Sequence, residues 1–120
     1  MDITNRITVD LTKYGLTGEV VMAPPSPRRE AWFKNQSMKH TKVDPRTGRP
    51  DLTTADVGDI EVLQILTYVK SAPFPKDKLE DYYAYCDKLD DDHPGLSMKI
   101  HKELAEAYKK IHAGETSPLE

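Results

Sequence analysis

The chain contains a single cysteine, Cys86, in 120 residues. No intramolecular disulfide can form, and a reducing compartment is the natural setting for such a sequence. Long apolar runs are missing too. None approaches the roughly 20 residues that a membrane-spanning helix requires. The opening MDITNRITVDL has neither the basic start nor the apolar core of a secretory signal. The expected location is the cytoplasm. Also absent are a Walker phosphate loop, a G-x-G-x-x-G turn, a Ser-His-Asp order, a C-x-x-C pair and an H-x-x-x-H pair. No catalytic, cofactor-binding or metal-ligating residue is assigned, and the expectation is a protein without cofactor that is not an enzyme.

What is present is polar and globular: 38% hydrophobic and 31% charged residues, with nine prolines. This length suits one domain, taken as 1–118, with enough chain to bury a core unaided. Leu119 and Glu120 read as the junction left by an appended affinity tag and are set aside. The net charge of −3 conceals an asymmetry, since residues 1–50 carry nine Lys/Arg against five Asp/Glu and residues 51–120 carry eight against fifteen. Opposite halves of this kind attract within one fold or between copies of it. A whole-chain pI near 5.8 argues against nucleic acid as the main partner.

Along the chain, RITVDLTKYG alternates Ile7, Val9 and Leu11 with Thr8, Asp10 and Thr12, the period of a half-buried strand. Gly15 and Gly18 supply turn residues before EVVMA resumes, so 6–23 is expected to form a β-hairpin. Pro24 and Pro25 cannot continue a ladder. Ser26 and Pro27 make an N-cap and first-turn proline for a helix over 26–39, anchored on the hairpin by Trp32 or Phe33. The stretch 40–57 has too little apolar surface to offset its ordering entropy and is expected to be a mobile loop, with DPRTGRPD as a turn inside it. From Asp59 onward the pattern is helical through 59–113. DIEVLQILTYVKSA has a broad apolar face and should be a central helix ended by Pro73-Phe74-Pro75. A second helix carries Leu79, Tyr82, Tyr83, Cys86 and Leu89. A third carries Leu96, Ile100, Leu104, Ala107, Tyr108 and Ile111, with Gly114 as its stop. The expected class is α+β, an N-terminal β-hairpin packed on a small bundle of about four helices.

The most chemically suggestive stretch is DKLDDDHPG at 87–95. A calcium loop needs alternating oxygen ligands, a glycine turn and a closing bidentate glutamate. Here the aspartates are adjacent and no such glutamate follows. His93 and His101 lack the companions of a zinc site. The reading is a turn between helices, with negative charge at the N-terminus of the second. Cys86 falls on an apolar stripe with no base nearby and reads as a buried, inert thiol.

Two groups of residues are candidates for binding a partner. Tyr82, Tyr83 and Tyr85 could form a protein interface or pack in the core with their hydroxyls reaching water. Arg28 and Arg29 open a basic segment, 28–49, that also holds Trp32 and Phe33. Such a segment could track single-stranded nucleic acid, lie solvated, or meet the acidic half of another copy.

The order of elements, with the strand ITVDL, the helix start PPSPRREAWFKNQS, a variable loop and a bundle opening DIEVLQILTYV, resembles the tail assembly chaperones of long-tailed bacteriophages and prophages. Pro25, Ser26, Pro27 and Arg28 stand where that family commonly has a P-[ST]-x-R-like helix start, and the likeness spans most of 6–112. The Pro-rich run 24–27 and the long basic loop depart from the simplest pattern. The resemblance implies a non-enzymatic helper that self-associates and coats a tape-measure protein, keeping it soluble until the tail tube polymerises. The alternative is a small nucleic-acid-associated or regulatory protein using segment 28–49.

Overall fold

Alternation sets the first strands, as the computed structural model describes for residues 6–39, 45–48 and 57–116. Strands β1 (Ile7–Asp10) and β2 (Glu19–Met22) pair antiparallel, with Ile7 opposite Met22 and Val9 opposite Val20. Successive side chains point to opposite faces of a strand, so these apolar residues share one face. Val9, Val20 and Met22 are buried there, while Thr8, Asp10 and Glu19 face solvent. Between the strands lies a turn of 3-10 helix, Leu11–Tyr14. The Asp10 carboxylate caps it, accepting from the Thr12 amide and hydroxyl at 3.0 and 2.7 Å. Gly15, at φ 80°, closes it by donating to the carbonyls of Leu11 and Thr12.

A third strand, β3 (Val69–Ser71), pairs with the free edge of β2, giving an antiparallel sheet of order β1-β2-β3. The fold is α+β. This strand corrects the sequence reading, in which one helix ran from Asp59 past Val69. Helix α2 (Val57–Thr67) stops earlier. Tyr68 and Val69, aromatic and β-branched, complete the ladder of β2 instead. The Tyr68 carbonyl accepts from the Ala23 amide at 2.9 Å, and Val69 lies opposite Met22. At the last turn of α2 the Thr67 hydroxyl donates back to the Leu63 carbonyl at 2.7 Å.

The other helices are α1 (Pro27–Lys39), α3 (Leu79–Asp92) and α4 (Leu96–Thr116). Ser26 caps α1, its hydroxyl accepting from the Arg29 amide at 3.3 Å. Helix α1 buries no residue fully. It lies along α2, and Trp32 donates through Nε1 to the Asp77 carbonyl at 2.8 Å. Its indole anchor is therefore the approach to α3, and not the hairpin as the sequence suggested. Helix α4 continues through Gly114, the expected stop, to Thr116.

One contiguous cluster joins Val9, Val20 and Met22 of the sheet to Leu63 and Leu66 of α2, Leu79 and Tyr82 of α3, and Ile100, Leu104 and Ile111 of α4. The acidic stretch closes α3 and turns at His93 to Gly95. Asp90 accepts from the amide and hydroxyl of Ser97 at 2.9 and 2.6 Å, so this carboxylate fastens the start of α4 across the turn. Of the loop expected over 40–57, most lies outside the described residues. Within it Pro45, Arg46 and Thr47 form a turn, and Val57 already belongs to α2. Leu119 and Glu120 lie outside the described residues as well. Among the described residues no helix is long and apolar enough to cross a membrane.

Candidate partner-binding surface

The basic candidates divide at once. Arg28 is exposed, whereas Arg29 is built into the fold with its side chain only 16% accessible. The Arg29 guanidinium donates to Asp77 Oδ1 at 3.0 Å and to the Leu66 carbonyl at 2.7 Å. It also lies over the Trp32 ring, 4.0 Å from the centroid. Leu66 belongs to the last turn of α2, whose carbonyls lack helical partners, so Arg29 serves as a C-terminal cap supplied by a neighbouring helix. Its Nε is buried without a hydrogen-bond partner. Burial holds the guanidinium below its ordinary pKa, and Asp77 opposes that shift. Arg29 and Trp32 thus come together, but as an internal clamp between α1, α2 and the entry to α3.

The tyrosines also separate. Tyr82 is 3% exposed and belongs to the core, with Phe74 5.3 Å away between ring centroids. Its hydroxyl is 3.0 Å from Nδ1 of His101, and burial raises its pKa so far that the phenol stays neutral. Tyr83 is half-buried and donates to Asp59 Oδ1 at 2.5 Å, tying α3 to α2. Tyr85 is half-buried against Phe74. Tyr82 adjoins Tyr83 at 6.3 Å between ring centroids, and Phe74 bridges Tyr82 to Tyr85. Cys86 is half-buried, and burial pushes its thiol pKa up, which favours the protonated form.

Where Tyr83 and Cys86 do meet a surface is a groove between α2, α3 and α4. One part, about 230 Å³, is lined by Val62, Tyr83, Cys86, Met98 and His101. A second part, about 470 Å³, is lined by Glu61, Val62, Ile65, Ala105, Tyr108 and Lys109. Val62 and His101 line both, so the two parts adjoin. The lining is largely apolar around Met98, which is left 55% exposed at one end, and is mixed in the second part, where Gln64 and His101 contribute polar groups. Glu61 on α2 and Lys109 on α4 put opposite charges on its two lips. His101 lies in the floor, and burial lowers its pKa, favouring the neutral imidazole.

The sequence reading passed over this groove because α4 carries a second, weaker stripe. His101, Ala105, Tyr108 and His112 recur at helical spacing beside the dominant Ile100–Leu104–Ala107–Ile111 row. Their partners are tyrosines, since His112 Nδ1 lies 3.2 Å from the Tyr68 hydroxyl and its ring stacks on Tyr108 at 5.5 Å. The opposite side of α4 holds the hairpin. Glu103 there accepts from Lys13 at 2.6 Å and from the Tyr14 hydroxyl, and both bonds depress its pKa. Among the described residues no group of three or more His, Cys, Asp or Glu side chains could hold a metal ion. Comparisons with protein-family models, with curated proteins and with solved structures each find no match.

Proposed function

We propose that this chain is a non-enzymatic binding protein of the tail-assembly-chaperone kind, which self-associates and shields an apolar helical stretch of a tape-measure protein in the cytoplasm of a host cell. The observation that carries the reading is the open, largely apolar groove between α2, α3 and α4. An amphipathic helix buries its apolar stripe in such a groove, using anchors at every third or fourth residue. From Met98 to Lys109 the α4 wall runs about 16 Å at the helical rise, enough for about three turns of a client helix. Met98 and Cys86 are soft and adaptable, as suits a site that takes many related apolar segments in turn. Glu61 and Lys109 on opposite lips favour a client with a cation on one flank and an anion on the other.

Arg29 and Trp32, the pair best suited to phosphate and base stacking, are occupied with Asp77, the Leu66 carbonyl and each other. That weighs against the nucleic-acid alternative for segment 28–49. The test is co-expression with a tape-measure protein. The proposal expects the tape-measure protein in the soluble fraction only when this chain is present, and back in the pellet when Ala105→Glu places a charge in the groove. Equal solubility with and without the chain would end it. A tape-measure gene directly downstream in the genome would add independent support.

A further inference from the structure

Two outward helix faces on this molecule are complementary in charge, in length and in relief. On α1, Arg28, Ala31, Lys34, Asn35, Met38 and Lys39 are all exposed. Helical spacing puts them on one side, away from the buried Arg29 and the half-buried Trp32 and Phe33. Met38 is 76% exposed, a large apolar side chain near the C-terminal end of a face that is basic apart from the exposed Glu30 at its edge. On α3, Glu80, Ala84, Asp87 and Asp91 recur at intervals of four, three and four residues, and each is exposed. Lys88 is the lone cation among the outward residues of that helix, while Asp81 and Asp92 add to the acidic flank. None of the charged groups on these two rows enters an ion pair among the described residues. Arg28 to Lys39 and Glu80 to Asp91 each span about 16 Å of helix.

Within one chain these faces point outward and cannot meet. We infer that they meet between chains, with the outer face of α1 on one copy lying along the outer face of α3 on the next. Ala84 leaves a low place between acidic neighbours where Met38 of the other copy can seat. With the two helices antiparallel, Arg28, Lys34 and Lys39 then lie opposite Asp91, Asp87 and Glu80. The same arrangement specifies against the wrong pairings. Two α1 faces or two α3 faces would set like charges against each other, which costs more than a mismatch of shape. A single helix-on-helix contact is small, so it should be reversible and weakened by salt. Each copy carries both faces, and the contact can repeat from copy to copy or close as a reciprocal pair.

The inference rests on the self-association reading above, and names the surfaces that carry it. It is tested by sedimentation of four chains: the natural sequence, Arg28→Glu with Lys34→Glu, Asp87→Lys with Asp91→Lys, and all four changes together. Because these positions are exposed, circular dichroism and melting should confirm that each variant folds. Either reversal alone is expected to weaken association at least about tenfold, and the fully reversed chain to recover it. Association unchanged by both reversals, no recovery in the fully reversed chain, or a natural chain that stays monomeric would each overturn the inference. Tape-measure solubility assayed in parallel separates the two claims. If the groove still holds its client while the reversals leave association unaltered, this contact alone is wrong. If the natural chain holds no client, the functional reading fails whichever way the sedimentation falls.

Discussion

Arg29 on α1 and the carbonyl of Leu66 at the end of α2 lie 2.7 Å apart, and this hydrogen bond fastens a helix with no fully buried residue to the most buried helix of the fold. The planar guanidinium also reaches Asp77 and lies over Trp32, a combination that an ammonium group cannot reproduce. Arg29→Lys should therefore destabilise the protein nearly as much as Arg29→Ala, by about 1.5–3 kcal/mol for a hydrogen-bonded charged group. Urea denaturation measures it. A loss below about 0.5 kcal/mol would mean that Arg29 is free to serve a partner.

Leu66 is fully buried between α2 and its neighbours. Truncation to alanine should cost about 2–5 kcal/mol, the transfer term plus the cavity left behind. The same denaturation experiment reads this out, and a loss close to zero would place Leu66 at the surface.

His101 links stability to pH. Burial lowers its pKa from the ordinary value of 6.5. Between the folded and unfolded values the unfolded chain binds more protons, so stability rises with pH across that window. Acidification through pH 6.5 and below should thus remove stability before the carboxylates of Asp10, Asp90 and Glu103 begin to titrate. Those carboxylates are held below their ordinary pKa mainly by hydrogen bonds from Thr12, Ser97, and Lys13 with Tyr14, and their contribution is lost at lower pH. In His101→Gln the slope just below pH 6.5 should flatten while the acid limb persists. An unchanged slope would assign the effect elsewhere.

Gly18 holds φ at 100°, and an added Cβ would sit 3.3 Å from the Pro73 ring. Gly18→Ala should cost about 1–3 kcal/mol from backbone strain, with crowding of Pro73 added. Thermal melting measures it, and a variant as stable as the natural chain would show that the turn relaxes freely.

Much of this architecture was legible in the sequence because burial leaves a period. Val9, Val20 and Met22 alternate, and Ile100, Leu104, Ala107 and Ile111 repeat at helical spacing, so the strands and α4 announce themselves. Val69 to Ser71 did not, since a three-residue strand is too short for a period and follows a helix without a break. Only the unfilled edge of β2 makes it a strand. The binding surface was harder still. Arg29 and Arg28 are adjacent and alike in sequence, yet one faces α2 and the other faces water. Tyr82 and Tyr83 are likewise adjacent, yet one is buried in the core and the other, half-buried, ties α3 to Asp59 of α2. Helix phase decides such cases, and a run of adjacent candidates conceals it. The groove needed Ala105 and Tyr108 read as a second stripe beside a stronger one.

The most direct test of the central claim is to follow backbone amide shifts while titrating in an apolar amphipathic helix from a tape-measure protein. The proposed mode of binding predicts saturable shifts at Val62, Ile65, Met98, Ala105 and Tyr108, abolished by Ala105→Glu. Shifts that avoid those residues, or that gather instead along Arg28 to Lys39, would contradict it.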